Sequence, residues 1–118
     1  MKTTLTIEQS AELIKRGVNK DMASYDSCAT LVASVVRTTV EPIFTLTDLL
    51  KMLPKVLHKD GLAYHYVLTI YWDEDIKAWR AMYDAIGDNI AGDCVAPELI
   101  DALYALVCDL LDNHAKLD

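Results

Sequence analysis

The run from residue 96 to residue 111 constrains the fold most, because it holds the longest periodic apolar stripe in the chain. Its apolar residues recur every three or four positions, and they are Leu99, Ile100, Leu103, Leu106, Val107, Leu110 and Leu111. That spacing places them on one face of a helix. Pro97 precedes them, and proline is tolerated at the first helical position. We therefore predict a helix that begins at Pro97, lies at the centre of the core and packs against the other elements.

A capping signal near the N-terminus indicates a second helix. Thr6 is followed three residues later by Gln9, which is the spacing of a capping box. Gly17 can adopt the left-handed conformation that ends a helix. The sequence therefore predicts a helix that begins after Thr6 and ends at Gly17.

A third helix is indicated by the same kind of cap. Thr45 is the expected N-cap, with Asp48 at the third helical position. One strong apolar face follows, formed by Leu46, Leu49, Leu50, Leu53 and Leu57. Pro54 is expected to break or kink this helix near Leu53, because proline disfavours helical backbone in the residue before it.

The stretch from 64 to 83 predicts an antiparallel hairpin, because its residues alternate on both sides of an acidic turn. The strands are expected over 64–72 and 76–83, and the turn residues are Asp73, Glu74 and Asp75. One face should point to the core, and it consists of Tyr64, Tyr66, Leu68, Ile70, Trp72, Trp79, Ala81 and Tyr83. The same alternation sends Tyr71 to the opposite face.

Two further segments complete the fold prediction. Residues 31–40 are rich in β-branched side chains, so we predict a strand there; their apolar spacing also suits a helix, which is the alternative. Residues 87–95 predict a flexible loop, because they hold two glycines, two aspartates and an asparagine. Helices packed on one face of an antiparallel sheet form the α+β class. We predict one α+β domain over residues 1–118, with two or three strands and three main helices.

Composition narrows the class of protein. The chain has 118 residues, of which 53% are hydrophobic and 25% charged, as in a globular domain. No apolar run approaches the ~18 residues of a membrane span, and no signal-peptide pattern opens the sequence. We therefore expect a cytoplasmic protein that does not bind a membrane. A net charge of −7 with scattered basic residues disfavours direct contact with nucleic acid, because phosphates would be repelled.

No motif predicts a cofactor or a metal. The cysteines are odd in number and form no Cys-x-x-Cys pair, and they are Cys28, Cys94 and Cys108. The histidines lack metal-ligand spacing, and they are His58, His65 and His114. The acidic run 73–75 lacks the pattern of a calcium loop, so we interpret it as a solvated turn. We expect none of these groups to hold a metal.

Several short segments carry a resemblance to other proteins. They are Leu5-Thr6, Glu8-Gln9-Ser10, Leu13, Gly17-Val18, Asp21-Met22, Tyr25, residues 44–54 and Leu99-Ile100-Asp101-Ala102-Leu103-Tyr104. In these segments the chain resembles a group of small gut-bacterial hypothetical proteins, some of them encoded in prophages or mobile elements. The resemblance implies a phage or mobile-element setting. It implies no catalytic or ligand-binding residue, because no activity is assigned to that group.

The best functional signal is the aromatic content of the predicted hairpin. We expect half or more of these rings to pack in the core, but Tyr71 alternates away from it. Exposed aromatic residues on a sheet are typical of interfaces. His65 is expected on the same non-core face, where its pKa near neutrality would suit acid–base chemistry.

We therefore predict a non-enzymatic interaction protein that binds a protein partner or a second copy of itself through Tyr71 and His65. One alternative is a small enzyme or ligand-binding protein that uses His65 with acidic residues around the hairpin. Another is that a helix or residues 31–40 cover Tyr71, which would leave the protein monomeric.

Overall fold

The computed structural model describes residues 2–26, 42–58, 65–85 and 89–113. Within these ranges the helices are α1 (Ile7–Lys15), α2 (Leu46–Met52) and α3 (Leu99–Asp112), with a short 3-10 turn at Lys20–Met22. A small two-stranded sheet pairs β1 (Tyr25–Asp26) with β2 (Pro42–Ile43). The main sheet is antiparallel and consists, in spatial order, of β3 (Val56–His58), β4 (His65–Asp73), β5 (Ala78–Ala85) and β6 (Asn89–Ala96). The predicted α+β class with three helices is confirmed.

The predicted sheet of two or three strands is wrong, because the main sheet has four. The strand predicted over 31–40 lies outside the described residues. The strands β3 and β6 are formed by segments that we predicted as part of a helix face and as a loop. Leu57 belongs to β3 rather than to a helix face, because α2 ends at Met52 and Leu53 is already extended before Pro54.

The segment predicted as a loop over 87–95 instead contributes most of β6. Its hydrogen bonds to β5 compensate for a composition that disfavours strands. The register shifts between Ala81 and Tyr83, so that Gly92 and Asp93 together oppose Met82. Gly92 has a φ of +62°, which is the conformation of a glycine bulge. A Cβ there would lie 2.9 Å from side-chain atoms of Leu106 and Asp109, so the bulge also lets α3 approach the sheet.

The predicted capping box of α1 and the predicted N-cap of α2 at Thr45 are confirmed. In α1 the Thr6 hydroxyl accepts from the Gln9 amide, and the Gln9 side chain accepts from the Thr6 amide, each at 3.0 Å. Thr45 and Asp48 repeat this arrangement at the start of α2. Gly17 has a φ of +110°, as expected for the residue after α1.

The predicted start of the last helix at Pro97 is wrong, because α3 begins at Leu99. Glu98 is the N-cap and has an extended backbone, so Pro97 belongs to the short turn that joins β6 to the helix. The Glu98 carboxylate does not cap α3. It accepts a hydrogen bond of 3.2 Å from the Lys2 amide and so ties the N-terminal segment to this turn.

The core lies between α3 and one face of the main sheet, with α2 packed beside α3. The apolar stripe of α3 is buried as predicted, and its fully buried members are Ile100, Leu103, Leu106 and Val107. The sheet contributes Ala81 and Tyr83 from β5. The Tyr83 hydroxyl donates to the Pro54 carbonyl at 2.8 Å, which satisfies its polar atom inside the core.

Candidate protein-interaction surface

The main sheet turns its other face away from α3, and we call this the outer face. In an antiparallel sheet, residues that are Cα partners share a face. The register places several rows across the outer face, and two of them carry its exposed large hydrophobic side chains. The Asp84 row consists of Val56, Val67, Asp84 and Ile90, and the Arg80 row consists of Tyr71, Arg80 and Val95. Thr69 and Met82 are Cα partners between these two rows, and Met82 is buried.

The outer face is unusually apolar for a sheet surface that contacts solvent. Its exposed large hydrophobic side chains are Val56 at 38%, Val67 at 51%, Tyr71 at 41%, Ile90 at 52% and Val95 at 45%. They make up five of the eight exposed large hydrophobic residues among the described parts of the chain. The solvated face of an antiparallel sheet normally carries polar residues. Exposed apolar side chains beside the charged residues of this face make it a candidate interaction surface.

The charged groups of the Arg80 row are held by ion pairs. The Arg80 Nε donates to Asp73 at 2.8 Å, and its Nη1 donates to Asp93 at 2.7 Å. The hydrogen bond from Arg80 lowers the pKa of Asp73, and the two carboxylates raise the pKa of Arg80. Asp93 lies on the outer face because it is two residues before Val95 on β6. The guanidinium is therefore fixed beside Tyr71.

Tyr71 lies where alternation predicts it, at the solvent-facing side of β4 and outside the core. For His65 the structure describes only the backbone, which pairs with His58 at the start of β4. The interface role of both residues and the alternative enzyme role of His65 stay predictions.

Trp72 is an exception to the prediction that its face of the hairpin points to the core. It is 42% exposed at the end of the sheet, where it contacts Trp79 edge to face at a centroid distance of 5.6 Å. Its indole nitrogen donates to Glu74 at 2.8 Å. Tyr66 and Tyr83 on the same face are buried as expected, so exposure at Trp72 reflects its position at the end of the strand.

The acidic turn is a network of local contacts. The Asp75 amide donates to Asp73 at 3.0 Å, and Glu74 forms an ion pair with Lys77. The loop spans residues 74–77 rather than 73–75, with Lys77 at a φ of +53°. Among the described residues, no group of three or more metal-ligating side chains is close enough to hold an ion.

The two described cysteines have environments that oppose reactivity. Burial, with help from Asp109 and Asp93, raises the pKa of Cys94 to about 11. Burial also raises the pKa of Cys108, although a hydrogen bond with Tyr104 acts in the opposite direction. Because the thiolate is the nucleophile, neither thiol suits covalent catalysis at neutral pH.

Sequence reasoning identified Tyr71 but missed most of the outer face. The alternation that exposed Tyr71 also predicts exposure of Val67, and this signal could have been used. Ile90 and Val95 could not be found in this way, because their segment was predicted as a loop. The contact of Arg80 with Asp93 could not be found either, because the two residues are 13 apart in the sequence and meet only through the pairing of β5 with β6.

Comparisons with known proteins add no assignment. No protein-family model, no curated protein and no solved structure matches the chain. Within the described ranges, no helix is both long enough and apolar enough to cross a bilayer.

Proposed function

We propose that this chain is a non-enzymatic interaction protein whose outer face binds another protein molecule. The observation that carries the proposal is the set of exposed apolar side chains on both rows of one sheet face. Burial of such side chains stabilises a complex by about 25 cal/mol per Å² of apolar surface, before the costs of association are subtracted.

The composition of the outer face supports a protein as the partner. Tyrosine and arginine are enriched among the residues that dominate binding energy, and Tyr71 and Arg80 are neighbours across β4 and β5. A chain with a net charge of −7 is poorly suited to phosphates, so we do not propose direct binding to nucleic acid. We propose a cytoplasmic accessory role in a phage or mobile element, and its support is the sequence resemblance described above.

Photochemical cross-linking tests this proposal on the full chain. The photoreactive residue benzoylphenylalanine replaces Tyr71 in one variant and Ile7 in a control variant. Ile7 is 40% exposed on α1, so it matches Tyr71 in exposure but lies off the sheet. After irradiation of expressing cells and of the purified protein, we expect protein adducts from position 71 at several times the yield from position 7. Equal yields, or none from position 71, would contradict the proposed function.

A further inference from the structure

We infer that the bound protein contributes an extended segment, which adds as a new strand to the open edge of β4 over residues 69–73. The segment belongs to another protein and carries apolar side chains on both of its faces. This inference rests on the proposed function, because it names the kind of partner that Tyr71 contacts. It comes from the backbone groups of β4 that β3 leaves unpaired.

The edge of β4 is open because β3 is short. β3 has three residues, and they pair only with the first three residues of β4. One further hydrogen bond follows, from the Leu68 amide to the Lys55 carbonyl at 2.9 Å. The chain before Lys55 turns to the core side of the sheet, where the Pro54 carbonyl accepts from the Tyr83 hydroxyl. Among the described residues, no strand therefore lies beside β4 over residues 69–73.

The direction of the unpaired backbone groups follows from the pairing with β3. In an antiparallel pair, alternate residues direct their N–H and C=O groups to the same neighbouring strand. Leu68 directs its amide to the side of β3, so Ile70 and Trp72 direct their backbone groups to that side as well. These groups form no hydrogen bond with another described part of the chain. An extended backbone supplies the matching donors and acceptors, which is the binding mode of strand addition.

The side chains at this end of β4 are exposed on both faces of the sheet. Tyr71 is 41% exposed on the outer face, and Trp72 is 42% exposed on the face towards the core. Ile70 lies on the same face as Trp72 and is partly buried. Side chains of paired strands that share a face are neighbours. The added segment therefore needs apolar side chains on both faces, one set beside Tyr71 and the other beside Ile70 and Trp72.

The two edges of the main sheet differ in their suitability for strand addition. β6 forms the other edge and is interrupted by the bulge at Gly92. A bulge is one of the devices that keep an edge strand from pairing, and charged side chains and proline are others. Residues 68–72 of β4 contain no charged residue and no proline, and their register with β5 is regular. The edge of β4 is therefore the better site.

Charge and size describe the complex further. A net charge of −7 repels identical copies of the chain, which favours another protein as the source of the segment. A partner strand of about five residues is about 17 Å long at ~3.3 Å per residue. Such a contact lies at the small end of specific interfaces. We therefore expect a complex that dissociates on dilution.

Hydrogen exchange tests whether the edge is open in the purified wild type. The amides of Ile70 and Trp72 should exchange at least about tenfold faster than the amide of Tyr71 between them, which is directed to β5. NMR of the isotope-labelled full chain measures all three. Equal protection of the three amides would mean that the chain covers its own edge, and this result would overturn the inference.

Cross-linking from a second position on the outer face locates the partner. Benzoylphenylalanine replaces Val95, which matches Tyr71 in exposure at 45% but lies two strands further from the open edge. With strands spaced at ~4.8 Å, position 71 should give adducts at a yield at least about fivefold above that of position 95. Equal yields, or adducts with twice the mass of the 13.2 kDa chain, overturn the inference and leave the proposed function standing. The absence of adducts from position 71 overturns both.

Proline at position 72 tests the backbone contact itself. Trp72→Pro removes both the ring and the outward N–H group, and proline is tolerated on an edge strand where that group faces solvent. Trp72→Ala is the matched control, because it removes the ring and keeps the N–H group. Adducts from position 71 should be at least about fivefold fewer with Trp72→Pro than with Trp72→Ala. Equal yields from the two folded variants would overturn the inference. If Trp72→Pro does not fold by circular dichroism, hydrogen exchange and the comparison with position 95 decide.

Discussion

Replacing Leu103 by alanine is expected to lower the free energy of unfolding by about 2–5 kcal/mol, because it leaves a cavity in a closely packed core. Leu103 is fully buried at the middle of the apolar face of α3. That face packs against β5, β6 and α2, so the lost contacts involve both layers of the fold. Urea unfolding followed by circular dichroism measures the effect.

Leu111→Ala is the matched control, because Leu111 lies in the last turn of the same helix and is only half-buried. We expect it to cost clearly less than Leu103→Ala. A loss below about 1 kcal/mol for Leu103→Ala would contradict the central position of α3, since such a small value is typical of peripheral sites.

Asp48→Ala is expected to lower the free energy of unfolding by about 2–3 kcal/mol, which is a large effect for a polar residue of a short helix. Asp48 is only 3% exposed. Its carboxylate accepts from the Thr45 and Ser24 amides, each at 2.9 Å, and also from the Ser24 hydroxyl. Removal of the carboxylate leaves these donors without a partner and releases the segment that precedes β1 from α2.

The control for Asp48→Ala is Gln9→Ala, because Gln9 holds the same position in the exposed capping box of α1. We expect it to cost about 1 kcal/mol or less. Urea unfolding of both variants compares them directly. If both variants lost the same free energy of unfolding, burial of Asp48 would not be the cause of its larger expected effect.

The environment of Asp48 also predicts a pH dependence. Burial alone raises its pKa, but hydrogen bonds from Ser24 and Thr45 outweigh burial and hold the pKa below its ordinary value of 3.8. A carboxyl group with a depressed pKa in the folded state stabilises the protein above its unfolded pKa. This contribution is lost as the pH falls through the folded pKa. Below pH 3.8, wild type should therefore lose stability more steeply than Asp48→Asn.

The parts of the fold that the sequence predicted are those set by local chemistry. Thr6 and Thr45 satisfy backbone donors within their own helices, so their caps are visible in a few consecutive residues. The strands β4 and β5 follow one another in the sequence, so the alternation that predicts their hairpin is visible in one short stretch. The stripe of α3 is similarly local, although its start was misplaced because a proline also suits the turn before a helix.

The strand β6 could not be predicted because its stability comes from distant residues. Asn89, Gly92 and Asp93 disfavour strands by composition. Yet β5 pairs with the segment, and Gly92 fits beneath Leu106 and Asp109 of α3. The candidate surface also depends on contacts between residues that are distant in the sequence. Tyr71 was visible by alternation, whereas Val95, on the other side of Arg80, lies on the same face only because β6 pairs with β5.

The most direct test of the outer face is the solution mass of wild type and Tyr71→Asp by light scattering, with each isolated from expressing cells together with the proteins that it binds. We expect wild type to exceed the mass of one 13.2 kDa chain and Tyr71→Asp to stay at that mass with unchanged helix content. A carboxylate at this position adds charge to an acidic chain and removes an aromatic contact. Equal association of both proteins would contradict the assignment of the interface to the outer face, and a wild type that stays at the mass of one chain would contradict the proposed function.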